Sequence, residues 1–171
     1  MNKPLYTAVA AITLDGKIAR HQKHYSSWTS REDKVFLHKI LDQSDVVIVG
    51  NKTYKLASKP LSKRNCIVFT RSIKTLEHKS KKLIFANTGG INIQKFIQKN
   101  RYKKICILGG SQIYSYFLKR NLLDEIYLTI EPIIFGKGIG LFDKEVKNVN
   151  YKLKSTKLLN QQGTILLHYI K

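Results

Sequence analysis

The chain has 171 residues, enough for one well-buried core and too few for two ordinary domains, so a single domain over 1–171 is expected. Its 43% hydrophobic and 10% aromatic content excludes a disordered chain, and apolar runs such as residues 6–14 stop far short of a membrane span. With 31 Lys and Arg against 11 Asp and Glu, the formal charge is +20, which asks for an anionic partner.

In chain order, residues 6–12 form the first candidate strand. The basic Met1-Asn2-Lys3 ahead of it resembles the start of a signal peptide. The apolar stretch is short, however, enters Asp15-Gly16-Lys17 and lacks a small-residue cleavage pattern, so a cytoplasmic location is expected. A helix opens after Ser30, a candidate N-cap, with Glu32 and Asp33 as acids in its first turn. Phe36, Leu37, Ile40 and Leu41 follow as an apolar stripe at helical spacing. Asp33, three and four residues before Phe36 and Leu37, falls on that apolar face, where an acid needs a partner or a cleft. Trp28, just ahead of this helix, is placed either to roof a planar ligand or to cover the core.

Residues 46–49 read as a buried strand closing on Gly50, and Asn51-Lys52-Thr53-Tyr54 begins a helix over 52–57. Residues 65–70 and 82–86 are further strands, followed by a helix over 93–99 and a strand over 104–108. Cys66 and Cys106 each sit inside a β-like run, which suits buried, reduced thiols better than a disulfide framework or a metal site. The run Ile107-Leu108-Gly109-Gly110-Ser111-Gln112-Ile113-Tyr114 then reads as strand, double-glycine turn and the start of a helix over 111–119. Glycines let backbone approach an anion without a Cβ in the way, and the amides opening a helix carry partial positive charge. Gly50 and Gly109-Gly110 are thus two strand-glycine-helix junctions, each a place to lay a phosphate. Residues 125–131, with the hydroxyl of Thr129 in an apolar run, 151–159 and 163–170 complete the strands, the last two joined by a turn at 160–163.

Strands alternating with helices imply a largely parallel sheet covered on both faces, with antiparallel strands at the end. Ligands gather at the carboxyl ends of strands in such a sheet, where both glycine junctions lie. The lysines are scattered along the chain, with no aromatic-interleaved, helix-turn-helix or zinc pattern. The charge therefore reads as a solvated surface that also favours a small anionic ligand, and neither nucleic acid nor membrane is expected as a partner.

These pieces in this order resemble the dihydrofolate reductase superfamily over nearly the whole chain. The resemblance implies an α/β, three-layer fold with a mostly parallel central sheet, antiparallel C-terminal strands and flanking helices. Residues 6–19 resemble the first strand and the entry to the loop over the nicotinamide. Trp28 and Asp33 keep the spacing of the family's loop tryptophan and substrate-binding acid. Gly50-Asn51-Lys52-Thr53-Tyr54 resembles its Gly-Arg-Lys-Thr-Trp cofactor motif, with Asn51 in place of Arg, and Gly109-Gly110-Ser111-Gln112-Ile113-Tyr114 resembles its second cofactor motif. Thr70-Arg71-Ser72 falls where the family binds the adenosine 2′-phosphate. Lys59-Pro60-Leu61-Ser62-Lys63-Arg64 resembles its Pro-Leu-Pro-Gly-Arg segment without the Pro-Gly.

The implied cofactor is NADPH, held by these segments together with Ala11 and Ile18. Asp33 would act as the catalytic acid, and Ala10, Trp28, Phe36, Leu37 and Thr129 would contact a planar substrate. Arg64 would grip a folate carboxylate, and residues 20–27 would close over the nicotinamide. Within the superfamily, Thr13-Leu14-Asp15-Gly16-Lys17-Ile18-Ala19, Ser27-Trp28-Thr29-Ser30-Arg31-Glu32-Asp33 and residues 123–136 are similar to the pyrimidine reductase of riboflavin synthesis. That branch's Asp-x-Pro-x-Leu segment is absent, and so is the Leu-Pro-Trp of folate enzymes. Asp33 and Arg64 favour 7,8-dihydrofolate as substrate, with the phosphoribosylaminopyrimidine as the alternative and a polyanion- or nucleic-acid-binding module as a distant one, in a monomer or homodimer.

Overall fold

The computed structural model describes residues 3–143 and 146–171. Its strands are β1 (Leu5–Thr13), β2 (Lys17–Ala19), β3 (Val46–Gly50), β4 (Cys66–Phe69), β5 (Leu76–His78), β6 (Leu83–Ala86), β7 (Lys104–Ile107), β8 (Glu125–Glu131), β9 (Ile139–Gly140), β10 (Lys152–Leu158) and β11 (Ile165–Ile170). The helices are α1 (Arg31–Asp42), α2 (Asn51–Leu61), α3 (Ile93–Lys99) and α4 (Ser111–Lys119). Nine strands form one sheet in the order β10-β11-β8-β1-β7-β3-β4-β6-β5, and β2 pairs with β9 separately. Every pairing from β8 across to β6 is parallel. The strands β11, β10 and β5 add on antiparallel. This is the dihydrofolate reductase-like arrangement that the sequence implies.

Alternation along the central strands sends side chains to two cores. Tyr6, Ala8, Val46, Ile48, Ile105 and Ile107 pack with Ile93 and Ile97 of α3 and Phe117 of α4. Val9, Val47, Val49, Cys66 and Cys106 pack on the other side with Leu41 of α1 and Leu61 of α2. The sheet is therefore covered by α1 and α2 on one face and by α3 and α4 on the other. Burial on both faces is why Val46-Val47-Ile48-Val49 reads as an unbroken apolar run. Both cysteines are buried free thiols, and desolvation pushes each up to about 12. At the far edge every residue of β10 is exposed, and Lys152, Lys154 and Lys157 blunt its capacity to pair with another strand.

Helix α2 runs to Leu61, past the expected end at Ala57, although Pro60 lies within it. Ala57 departs from helical geometry (φ −116°, ψ 16°). Proline supplies no amide hydrogen and collides with the carbonyl four residues back, so a kink one residue after Leu56 lets the chain resume helical geometry around Pro60. The short strands β2, β5 and β9 have two or three residues each, too few to show a period in sequence.

Candidate active site

Parallel strands end on the same edge of the sheet, so β3 delivers Gly50 and the segment after β7 delivers Gly109-Gly110 to neighbouring positions. The Gly50 amide donates to the Gly109 carbonyl at 2.8 Å. A cleft of about 990 Å³ opens along this edge, the upper end of the size of a small-molecule site. Its floor includes Ala10 and Ala11 of β1, and residues between Ile18 and Thr29, Trp28 among them, form one wall. Leu37 of α1 also faces it.

Asp33 enters the cleft from the first turn of α1. Ser30 caps the helix as expected, its hydroxyl accepting from the Asp33 amide at 3.2 Å. Asp33 is only 6% exposed. Burial raises its proton affinity, the Thr129 and Thr29 hydroxyls and the Lys34 ammonium work against this, and the nearby Glu131 adds to it. The outcome is a carboxyl held above the ordinary aspartate range, which suits a proton donor. Thr129, on β8, is buried beside Asp33 and does not itself line the cleft. Phe36 likewise lies behind the wall, its ring 5.1 Å from that of Tyr127.

Opposite Asp33, two helices begin at the cleft. Helix α2 opens after Gly50 and α4 after Gly110, and neither has a side-chain cap. Their first residues, Asn51, Lys52 and Thr53 on α2 and Ser111, Gln112 and Ile113 on α4, line the cavity. Uncapped amides at two helix starts are ready donors to phosphate oxygens. Gly109 is required on contact grounds, and Gly50 is tightly packed. A Cβ on Gly109, whose φ is +93°, would stand 2.6 Å from the Tyr114 ring, and one on Gly50 would meet Ile113 at 3.1 Å. The Tyr114 hydroxyl is committed to the Val9 carbonyl at 2.6 Å, tying α4 to β1 beneath the cleft. After β4, Thr70, Arg71 and Ser72 complete the far end, with the Thr70 and Ser72 hydroxyls 2.8 Å apart. The residues present therefore fit a dinucleotide. The glycine-led helix starts are shaped for a pyrophosphate, and Arg71 with two hydroxyls is suited to a further phosphate.

Residues 4–165 match the RibD C-terminal domain family. The chain belongs to this family. The uncharacterized protein YwjB of Bacillus subtilis (strain 168) is 27% identical over 169 residues, covering 94% of each chain. Among solved structures, a diaminohydroxyphosphoribosylaminopyrimidine deaminase/5-amino-6-(5-phosphoribosylamino)uracil reductase from Thermotoga maritima superposes with a TM-score of 0.77 at 20% identity. That match covers 98% of this chain and 56% of the other. Dihydrofolate reductase from Enterococcus faecalis, complexed with NADP(H), gives a TM-score of 0.72 at 17% identity over 98% and 96% of the two chains. As a RibD C-terminal domain, the chain is a reductase-family domain.

Three of the expected substrate contacts, Phe36, Thr129 and Arg64, lie outside the cleft lining. Arg64 does not line the cleft. Its guanidinium is held by Asp42 at the end of α1, at 2.5 and 3.0 Å, and by the Pro60 carbonyl. Without a Pro-Gly turn, α2 continues to Leu61 and the following residues bring Arg64 back against α1. The guanidinium is thus occupied by protein partners on that flank. Lys52 does line the cleft, its ammonium donating to Gln22 Oε1 at 2.5 Å.

Several functional neighbours escape sequence reasoning. Phe135 anchors the wall: the Arg20 guanidinium lies 4.1 Å from its ring centroid, and the rings of His24 and Trp28 lie at 5.4 and 5.0 Å. Asp15 fixes Phe135 by accepting from the amides of Phe135 and Gly136 at 3.1 and 2.9 Å. These bonds span about 120 residues of sequence and leave no local signature. Glu131 is different, because the alternation Thr129-Ile130-Glu131 already places it on the same face of β8 as Thr129.

Proposed function

We propose that this member of the RibD C-terminal domain family is an NADPH-dependent reductase that delivers hydride to a C=N bond of a small amino-substituted heterocycle, with a ribosylaminopyrimidine as its substrate class. The observation that carries the reading is the buried carboxyl of Asp33 across one cleft from two glycine-led helix starts and Arg71. Bound NADPH would supply the hydride, and the rest of the chemistry belongs to the chain. The amides opening α2 and α4 hold a pyrophosphate, while Arg71 with Thr70 and Ser72 binds the phosphate that separates NADPH from NADH. Ala10, Trp28 and Leu37 give a planar ring apolar surface to lie against. When the ribosyl ring opens, its C1′–O bond breaks and C1′=N forms to the exocyclic nitrogen; Asp33, bonded to the amino and amide edge, then gives its proton toward that nitrogen as C1′ accepts the hydride. Such acid help is worth roughly 10² to 10⁴ in rate. The wall fastened on Phe135 excludes water from the reacting bond.

The pyrimidine class is favoured over 7,8-dihydrofolate by the family and by the pairing of Arg64 with Asp42, which leaves the folate tail without its expected cation. The test is to incubate the protein with NADPH and, separately, 5-amino-6-(5-phosphoribosylamino)uracil and dihydrofolate, and to quantify both products. Consumption of the pyrimidine with at most slow turnover of dihydrofolate is expected. Preferential turnover of dihydrofolate would overturn the substrate class, and no NADPH oxidation with either would overturn the activity.

A further inference from the structure

Behind Asp33 lies a second buried carboxylate that the proposed reaction does not itself touch. Glu131, at the end of β8, is 4% exposed and does not line the cleft. Each of its oxygens accepts one hydrogen bond. Oε1 takes the Ser30 amide at 2.7 Å, and Oε2 takes the Thr164 hydroxyl at 2.7 Å. Ser30 is the N-cap of α1, and its own hydroxyl accepts from the Asp33 amide. Glu131 is therefore linked to Asp33 through one residue. It is also two positions from Thr129 on the strand face that backs the acid. Its two donors and the positive end of α1 compensate its burial. No Lys or Arg bonds it among the described residues.

We propose that Glu131 is a positioning residue that aims Asp33 at the substrate, by clamping the start of α1 through Ser30 and by placing a second carboxyl group behind the acid. This rests on the reductase reading of the cleft. Other charges face Asp33 as well. Lys34 on its own helix opposes protonation, but its ammonium donates to the Thr29 carbonyl at 2.8 Å. Tyr114 on α4 is neutral, its hydroxyl bonded to Val9 and pushed far above the ordinary tyrosine range by burial. Across the cleft stand His21 and His24 on the wall, Lys52 on α2 and Arg71 after β4, with Asp143 at the rim. Burial is the main cause that favours the protonated acid, and Glu131 adds to it from the buried side, in the direction expected of like charges sharing a site.

The test compares Glu131→Gln with Thr164→Val. The glutamine keeps the shape: its oxygen accepts from Ser30 and its amide donates to the Thr164 hydroxyl, while the charge is gone. Thr164→Val removes one clamp and keeps the charge. Asp33 is titrated directly in the protein alone, without cofactor or substrate, by carbon NMR of ¹³C-labelled aspartate, with Asp33→Asn identifying the resonance. Glu131→Gln is expected to move the Asp33 midpoint toward lower pH, whereas Thr164→Val lowers the melting temperature and leaves the midpoint in place. In turnover with NADPH, the two proteins should agree on the acid plateau. On the descending limb at higher pH, Glu131→Gln should be roughly three- to tenfold slower than wild type, since a tenfold change corresponds to one pH unit. An unchanged Asp33 midpoint in Glu131→Gln would overturn the proposal. So would an equal displacement in Thr164→Val, which would assign the effect to packing. Absence of turnover would overturn only the reductase reading, because the NMR comparison needs no substrate.

Discussion

Gly109→Ala probes the turn on which the cofactor end of the cleft is built. Gly109 has φ +93°, outside the ordinary range of L-residues, and an alanine Cβ would lie 2.6, 2.7 and 2.8 Å from Cε2, Cζ and Oη of Tyr114. Forcing a non-glycine residue into left-handed backbone costs about 1–2 kcal/mol. Tyr114 cannot absorb the clash freely, because its hydroxyl is bonded to the Val9 carbonyl inside the core. Displacing it leaves a buried polar group unpaired, a further cost of about 1–3 kcal/mol. A total near 3 kcal/mol lowers the melting temperature of a chain this size by roughly 6–12 °C. Gly110→Ala is the control: its Cβ would meet nothing closer than the Thr53 hydroxyl, at 3.5 Å, so the melting temperature should move little. That methyl would still face the cleft and weaken NADPH binding. Thermal unfolding and NADPH titration of the two variants decide the matter. Equal melting temperatures, or a larger loss in Gly110→Ala, would refute the packing argument.

Asp33→Asn should bind NADPH nearly as wild type does and turn over roughly 10²- to 10⁴-fold more slowly, measured as kcat at neutral pH; equal turnover would remove Asp33 as the acid. The same variant should be more stable than wild type at neutral pH. A carboxyl raised in the folded state binds more protons than the unfolded chain, so stability falls as pH rises from the ordinary aspartate value through the folded one. Denaturant unfolding should show the variant's advantage above that window and its disappearance at acid pH. Arg71→Ala should weaken NADPH roughly 10- to 150-fold with NADH unchanged, the loss of a charged hydrogen bond of about 1.5–3 kcal/mol. Arg64→Leu breaks a partly exposed pair with Asp42 and should cost about 1 kcal/mol of stability, with Michaelis constants unchanged; a raised constant for dihydrofolate would restore the folate grip.

The strands buried on both faces were legible because four consecutive β-branched residues between turn signals leave little alternative, as at Val46 to Val49. The Ser30 cap and Asp33 on the apolar face were legible for a similar reason: helix starts are written in adjacent residues. Arg64 was not, because its environment depends on where α2 ends, and Pro60, which reads as a helix stop, is instead accommodated by a kink at Ala57. Phe135 meets Asp15, Arg20, His24 and Trp28 only through the three-dimensional return of the segment after β8. Glu131 lay between these cases. Its face was readable from alternation with Thr129, whereas its partners Ser30 and Thr164 come from distant elements.

The most direct measurement uses the single tryptophan. Trp28 lines the cleft, so its fluorescence reports a nicotinamide cofactor bound there without any assumption about substrate. Titration should give saturable quenching with one NADPH per chain, tighter than for NADH, and Arg71→Ala should remove the difference while Asp33→Asn preserves it. Quenching that never saturates, or that is the same for NADPH and NADH in the wild-type protein, would contradict a cleft built for NADPH.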